Sequence, residues 1–581
     1  MQPTSTDRLR NFLAALLDKQ IRIEGEENED PSLVYANAVL GYIQTIADAP
    51  ELIPQIVVIG PTQAGKSTIV NILLGGEAAT SNALAGFTRH PQGFCTDAID
   101  DELTDIIDRL LRGLKRVPPE QLSPDELQSY TLVAASDVEP VVSPAVYWDT
   151  PDFDSVSSRN YRFGVPRLCA MADLIVLVVS KEKYADQSVW ETLRLINQLP
   201  HPLAICINKA SRDSADQIAA AMGRKLDEEG IVHGGIVTLP YEPEPELESM
   251  IASPSGEALR DLASTLLPTR REPVDPDRLK AFLQAHWLTW TAPIRREIAA
   301  GRSWRDMLDG EFERAEGRYQ DNYLRDPLYS DTLQRAIVKL MDLLELPGLA
   351  GQIGRMRNAI SWPARTLMNR FLARDEQRDN SGRKTDLEGS LVMELLDEVL
   401  VALQRQIGDR SASDDIEMRQ WWQQLWMRLQ QESAPLKREI EDRIAAHQRA
   451  FEPRIEAAAE DLYHYLQRHP TTLNSLRAAR VTTDVGALVL ALKTGGIGLN
   501  DLVLAPAMLA FTSMLTEGAV GRYMKKVEEE LKAAQLESVR EHVFIPLRQQ
   551  LEQLPASLDA DTIYGFDEAT LNAAEQELTT L

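Results

Sequence analysis

The sequence predicts an α/β domain with a mostly parallel sheet and flanking helices, joined to a large all-α helical region. Two observations predict it. Short apolar runs, QIVVIG, AVYWDT, DLIVLVVS, LAICINK and GIVTLPY, alternate with helical stretches from residue 55 to about residue 241. Such runs, separated by helices, mark parallel strands buried on both faces. From about residue 275 to the last residue, helical periodicity replaces that alternation and no strand pattern stands out.

Taken in order, residues 7–22 and 31–48 read as two helices, with LRNFLAALL and VYANAVLGYI as apolar faces and acidic EGEENED between them. The first carries charges through its apolar stretch and lacks an A-x-A cleavage site, so it reads as an amphipathic helix and not a signal peptide. YEPEPELE and the SPSG turn at 253–256 mark the end of the α/β part. The expected division is residues 1–50 as N-terminal helices packing on the helical region, 51–270 as the α/β domain and 271–581 as a helical bundle or stalk. Pro347, Pro363, Pro435, Pro453 and Pro470 are expected to punctuate its helices, and polar RDEQRDNSGRKTD (374–386) to form a loop.

The chain of 581 residues carries 61 basic and 88 acidic side chains, a formal charge of −27. A surface this acidic repels phosphate backbones, so a general nucleic-acid binder is not expected. Cys95, Cys169 and Cys206 have no paired spacing, which argues against a disulfide framework or a zinc site and fits a reducing, cytoplasmic compartment.

The chemistry-bearing residues cluster early. Gly60-Pro61-Thr62-Gln63-Ala64-Gly65-Lys66-Ser67 lies between a strand and a helix and matches G-x-x-x-x-G-K-[ST]. Such a loop wraps a β-phosphate with inward-pointing N–H groups, and the helix N-terminus adds a favourable dipole. Lys66 would bridge the β- and γ-phosphates, and the Ser67 hydroxyl would ligate Mg²⁺. Asp149, ending the run Val146-Tyr147-Trp148, is placed to hold that Mg²⁺ through water. Thr88, in Gly86-Phe87-Thr88-Arg89-His90-Pro91, would complete the metal shell and sense the γ-phosphate. Asn208 and Lys209, ending LAICINK, fit the first two positions of the guanine-reading [NT]-K-x-D, but Ser211 stands where the acid belongs and Asp213 comes two residues late. Guanine is therefore expected from the arrangement, with adenine left open. Thr238–Pro240 is the trial position for the last base-contacting loop.

Together these motifs resemble the dynamin superfamily of large GTPases, bacterial dynamin-like proteins above all, and more broadly the TrmE-Era-septin-like P-loop GTPases. Ile53-Pro54-Gln55-Ile56-Val57-Val58-Ile59-Gly60 running into Ala64-Gly65-Lys66-Ser67 looks like that family's P-Q-I-x-V-x-G…S-A-G-K-S, and Thr88-Arg89-His90-Pro91 looks like its T-R-R-P. The resemblance covers about residues 53–210 at the level of motifs; beyond them it is architectural. It implies a P-loop GTPase domain. It further implies nucleotide contacts at Gly60, Ala64, Gly65, Lys66, Ser67, Thr68, Asn208 and Lys209, and metal contacts at Ser67, Thr88 and Asp149. Lys66, Thr88 and Gln63 are the residues expected to act in hydrolysis.

Two departures matter. The family's D-x-P-G reads Asp149-Thr150-Pro151-Asp152, which puts a carboxylate beside the expected γ-phosphate unless Asp152 turns away. Phe153 follows, where Ras-type enzymes carry a catalytic Gln. Phe cannot orient water, so Thr62, Gln63, Arg89 or a partner's residue must do so, and slow basal turnover that rises on self-assembly is expected.

In the helical region, residues 484–521 form two apolar arms around Gly495-Gly496-Ile497-Gly498, interrupted by Lys493, Asn500, Asp501 and Pro506. Neither arm reaches the roughly 20 apolar residues of a spanning helix. Basic and Tyr flanks suit an interfacial membrane tip, while a buried helical hairpin fits equally well. Arg355–Arg374 is a basic amphipathic stretch broken by Pro363, readable as a membrane-facing helix or a solvated face. Trp422, Leu425 and Trp426 share a helix face and read as a packing seam.

Three functions follow. The first is a dynamin-like GTPase that binds and hydrolyses GTP with Mg²⁺ and couples nucleotide-dependent self-association to binding or remodelling an anionic membrane, peripheral to the inner membrane. The second is an Era-like regulatory or assembly GTPase acting on a protein or ribosomal partner. The third is a slowly hydrolysing, nucleotide-gated scaffold.

Overall fold

A computed structural model describes residues 5–25, 28–79, 89–122, 128–153, 164–211, 214–241, 246–325, 331–344, 387–412, 416–471, 473–474 and 518–581. Thr88, Asp213, Arg355–Arg374 and most of 484–521 lie outside them. The chain divides into two compact units, Met1–Ile298 with Ala560–Leu581, and Ala299–Asp559.

In the first unit, eight strands form one sheet: β1 (Gln55–Ile59), β2 (Gln92–Cys95), β3 (Lys115–Arg116), β4 (Ser129–Ala134), β5 (Val146–Asp149), β6 (Leu174–Ser180), β7 (Leu203–Ala210) and β8 (Gly235–Pro240). Their order is β3-β4-β2-β5-β1-β6-β7-β8, and every pairing is parallel except β2 with β5. The five apolar runs are β1 and β5–β8. β2, β3 and β4 are additional. All three carry polar residues, β3 is only two residues long, and β2 is shaped by its neighbour: a Cβ on Gly93 would lie 2.9 Å from the Trp148 ring. The need for that glycine is a packing fact with no local signature.

Successive residues of β1 serve two cores. Val57 and Ile59 join one with Trp148, Ile175 and Ile205, while Ile56 and Val58 join the other with Tyr147, Val176 and Cys206. This alternation is the two-residue period of a strand buried on both faces. The second face is covered by α3 (Lys66–Leu74), α8 (Leu247–Ile251) and α9 (Pro254–Leu266). The first is covered by α4 (Asp101–Leu110), α5 (Gly164–Ala170), α6 (Gln187–Ile196) and α7 (Ala215–Glu228), and over them by α1 (Ser5–Glu24) and α2 (Pro31–Asp48). α2 begins cleanly: Asp30 accepts from Ser32 N at 2.8 Å and Pro31 follows, the residue types that favour a helix start.

α1 and α2 pack on α4 and α5, on the C-terminal helix α16 (Glu568–Thr580), and on the first part of α10 (Pro276–Tyr319). The Phe12 ring lies 5.5 Å from Trp287 and 5.2 Å from Phe566, and Trp290 Nε1 donates to Ser32 Oγ at 3.0 Å. Arg271 ties the strand starts together: it grips Asp173 at 2.6 and 2.7 Å and donates to the Leu52 and Ile53 carbonyls, while Asp173 accepts from Gln55 N at 2.8 Å.

The second unit is helical: the rest of α10, α11 (Asp331–Leu343), α12 (Leu387–Ser411), α13 (Ile416–Gln467), α14 (Gly518–Val539) and α15 (Ile545–Glu552), with π-helical turns at Gln320–Leu324 and Arg540–Phe544. Here the proline reading is corrected: α13 runs through Pro435 and Pro453 without ending. A mid-helix proline costs about 3 kcal/mol, and buried Leu436, Ile440, Phe451 and Ile455 on either side offset it. The tryptophan reading also shifts. Trp421 and Trp422 are both buried and meet edge-on at 4.7 Å, while Trp426 is only half-buried. One buried polar cluster interrupts the apolar packing: Glu388 accepts from Tyr319 Oη (2.6 Å), Gln535 Nε2 (2.8 Å) and His447 Nε2 (3.1 Å).

The three cysteines are buried and free, and burial pushes the Cys169 thiol up to about 12. Among the described residues, no helix is long and apolar enough to cross a membrane.

The candidate nucleotide site

The loop Gly60–Ser67 leaves the C-terminal end of β1 and enters α3. Its two glycines are needed for different reasons. A Cβ on Gly60 would sit 2.2 Å from the Val178 carbonyl oxygen on neighbouring β6, whose backbone cannot step aside. Gly65 has φ +93°, and its Cβ would meet Asn208 Nδ2 at 2.3 Å. Gln63, a residue with a Cβ, also takes a left-handed φ of 61°, a conformation costing roughly 1–3 kcal/mol unless the surroundings hold it.

Those surroundings come from the end of β7. Asn208 Nδ2 donates to the Ala64 carbonyl at 2.9 Å, and Lys209 Nζ donates to the Gln63 carbonyl at 2.8 Å. Asn208 Oδ1 accepts from Lys209 N at 2.9 Å, supporting Lys209 at φ 56°. The strand end expected to read the base therefore also braces the phosphate loop. Ser211, at the position of the missing acid, is exposed and shares a 2.6 Å hydrogen bond with Ser214 Oγ. Thr238–Pro240 is the last part of β8, where Pro240 pairs with Ala210.

β5 delivers the acids. Ser67 Oγ donates to Asp149 Oδ2 at 2.6 Å, so two expected metal contacts meet. Thr150 Oγ1 donates to the Val58 carbonyl at 2.9 Å and pins the end of β5 to β1. Lys66 is buried. Its Nζ donates to the carbonyls of Gly60 (3.1 Å) and Pro61 (3.4 Å) and pairs with Asp152 Oδ1. Asp152 therefore does not turn away from the site: it turns onto Lys66, because a buried cation and a buried carboxylate stabilise each other. No sequence rule pairs residues 66 and 152; only the neighbouring ends of β1 and β5 bring them together. Phe153 is buried as well. Thr62, Ser67 and Thr68 are half-buried and Gln63 is exposed at the loop surface.

A hydroxyl beside a carboxylate is a hard oxygen donor set of the kind Mg²⁺ takes, with phosphate and water supplying the rest. No group of three or more His, Cys, Asp or Glu among the described residues would hold a metal by itself. Ser67 and Asp149 thus fit a metal shared with a phosphate.

A family model described as "50S ribosome-binding GTPase" matches residues 55–209, from the first residue of β1 to Lys209. No curated protein sequence matches the chain. Among solved structures, an Era variant from Aquifex aeolicus bound to GDP and AlF₄⁻ is 17% identical, with a TM-score of 0.25, over 39% of this chain and 60% of that one. An oligomerised bacterial dynamin pair, described as a mechanism for long-range sensing and tethering of membranes, is 12% identical, with a TM-score of 0.27, over 99% and 82%. LeoA, a bacterial dynamin GTPase from ETEC, is 15% identical, with a TM-score of 0.22, over 99% and 92%. The chain spans about 60% of the length of the Era structure it matches. The family match runs through the phosphate loop and β1 to β7, and on that footing residues 55–209 form a GTPase domain of the P-loop type.

Proposed function

We propose that the chain is a dynamin-like GTPase that uses GTP with Mg²⁺ and couples nucleotide-dependent self-association to binding or remodelling an anionic membrane, at which it acts peripherally. The observation that supports it most is the convergence of Lys66, Ser67, Asp149 and Asn208 at adjoining strand ends, in a chain that continues into a separate helical unit. The working division is a GTPase domain over 51–270, with helices 1–50 before it and a helical region over 271–581.

In this reading the N–H groups of Gly60–Ser67 and the α3 N-terminus cradle the β-phosphate. Lys66 neutralises the β- and γ-phosphates. Ser67, Thr88 and, through water, Asp149 would hold Mg²⁺, which would screen the charge of the phosphates. Thr68 extends the phosphate contacts, and Asn208 and Lys209 cover the base. Gln63 and Thr88 orient water in place of the residue that Phe153 replaces.

GTP and ATP turnover, with and without anionic liposomes, beside Lys66→Ala, tests the proposal. GTP turnover is expected to be slow, to rise with protein concentration and liposomes, and to fall about 10²–10³-fold in Lys66→Ala. A high basal rate independent of concentration and membrane overturns the coupling. Equal use of ATP overturns guanine selection. Failure of both the full chain and a 484–521 deletion to sediment with anionic liposomes overturns the membrane role.

A further inference from the structure

We infer that Asp152 is an internal occupant of the γ-phosphate's place on Lys66, and that its displacement by a triphosphate moves Phe153 against the helices outside the sheet. The inference rests on the proposed GTP chemistry at Gly60–Ser67.

The first argument is donor arithmetic. An ammonium group has three N–H donors. Lys66 directs them at the Gly60 carbonyl, the Pro61 carbonyl and the Asp152 carboxylate. A phosphate oxygen that reaches Nζ must replace one of these acceptors. The two carbonyls belong to the loop backbone, and Gly60 is wedged against Val178. The carboxylate is the acceptor on a side chain, and it carries the charge that a phosphate repels. Both partners are buried, with side chains 5% and 7% exposed, so water screens neither the pair nor the repulsion.

The second argument is where the movement goes. The residues before Asp152 are fixed, Asp149 to Ser67 and Thr150 to Val58. A shift at Asp152 therefore passes forward to Phe153. The Phe153 ring lines a cavity of about 470 Å³ whose other walls include Pro31 at the start of α2, Val165 and Cys169 of α5, Leu195 of α6 and His286 of α10. The cavity gives the ring space to change position. Its walls include the start of α2 and His286 in the third turn of α10, two helices that are not part of the nucleotide fold. His286 stacks on Trp290, which in turn donates to Ser32, so α2 and α10 are joined beside the same cavity. A γ-phosphate on Lys66 is thereby read out at α2 and α10 through two adjacent residues, Asp152 and Phe153.

Equilibrium binding of a non-hydrolysable GTP analogue and of GDP to the full chain tests this, with Asp152→Asn and Asp152→Ala as independent variants. Removing the carboxylate is expected to tighten the GTP analogue about tenfold or more and GDP by less, because the γ-phosphate brings to Lys66 a charge that GDP lacks. In parallel, amide exchange over residues 28–36 and 282–290 is compared between the two nucleotide states. It is expected to differ in the wild type and to lose that difference in Phe153→Ala, whose analogue affinity stays near the wild-type value. Unchanged analogue affinity in both Asp152 variants overturns the inference while leaving the GTPase reading intact, as does an exchange difference that survives Phe153→Ala. A wild-type chain that binds neither nucleotide overturns both.

Discussion

Asn208→Ala is the sharpest probe of the brace between the two nucleotide loops. Asn208 is buried and makes two hydrogen bonds of 2.9 Å, one to the carbonyl of Ala64 and one from its neighbour Lys209 N. Truncation leaves the Ala64 carbonyl, on a residue with no exposed surface, without its donor. A buried acceptor stranded in this way costs about 1–3 kcal/mol. Lys209, held at φ 56°, also loses the acceptor that supports its left-handed backbone, a conformation worth about 1 kcal/mol or more. Together these place the loss near 2–3 kcal/mol, and a loop that must be reordered by its ligand passes that loss to affinity as roughly 30- to 150-fold weaker binding. Titration of fluorescent GDP and GTP analogues measures it, with the melting temperature of the nucleotide-free chain as a second reading. Asn208→Asp retains the acceptor for Lys209 N but sets a carboxylate against the Ala64 carbonyl, so it is expected to do no better. If Asn208→Ala binds both nucleotides within about threefold of the wild type, the brace has no energetic weight and the reasoning fails.

Three further outcomes are expected. Gly60→Ala drives a methyl group to 2.2 Å from the Val178 carbonyl oxygen; it should cost about 1–3 kcal/mol and abolish nucleotide binding, and retained binding in the same titration contradicts this. Asp173→Ala leaves the Arg271 guanidinium, only 16% exposed, without its carboxylate partner and Gln55 N without its side-chain acceptor. A loss of about 3 kcal/mol should lower the GTPase-unit transition in calorimetry by roughly 6–12 °C. Glu388 supplies a pH dependence in the helical unit. Burial pushes its carboxyl up, but hydrogen bonds from His447, Tyr319 and Gln535, with the charge of His447, outweigh burial and hold it below its ordinary value of 4.5. A carboxylate depressed in the folded state contributes stability above its unfolded pKa and loses it as pH falls through the folded one. The stability advantage of the wild type over Glu388→Gln should therefore shrink as pH falls below about 4.5 in urea unfolding; a difference independent of pH removes the basis for the claim.

The α/β class, five of the eight strands and the loop Gly60–Ser67 were legible because each is written in contiguous residues. A strand buried on both faces is apolar along nearly all its length, as β1 is from Ile56 to Ile59 and β6 from Leu174 to Val179, and a phosphate loop needs its glycines and lysine at fixed spacing along one turn. Starts such as Asp30-Pro31 are equally local. What only the tertiary structure decided concerns residues far apart in the chain. Asp152 reaches Lys66 because β1 and β5 pair, and Asn208 reaches Ala64 because β7 ends beside the phosphate loop. β2 earns its place by fitting Gly93 under Trp148 and pairs antiparallel to β5, while α13 continues through Pro435 and Pro453 because buried neighbours outweigh the lost hydrogen bonds. By itself, then, the sequence determined that a phosphate-binding loop sits at the end of a buried strand in an α/β domain followed by helices. The acceptors on Lys66 and the brace on the loop were decided by strand order, since local chemistry constrains neighbours in the chain and the sheet chooses which distant carboxylate or amide faces them.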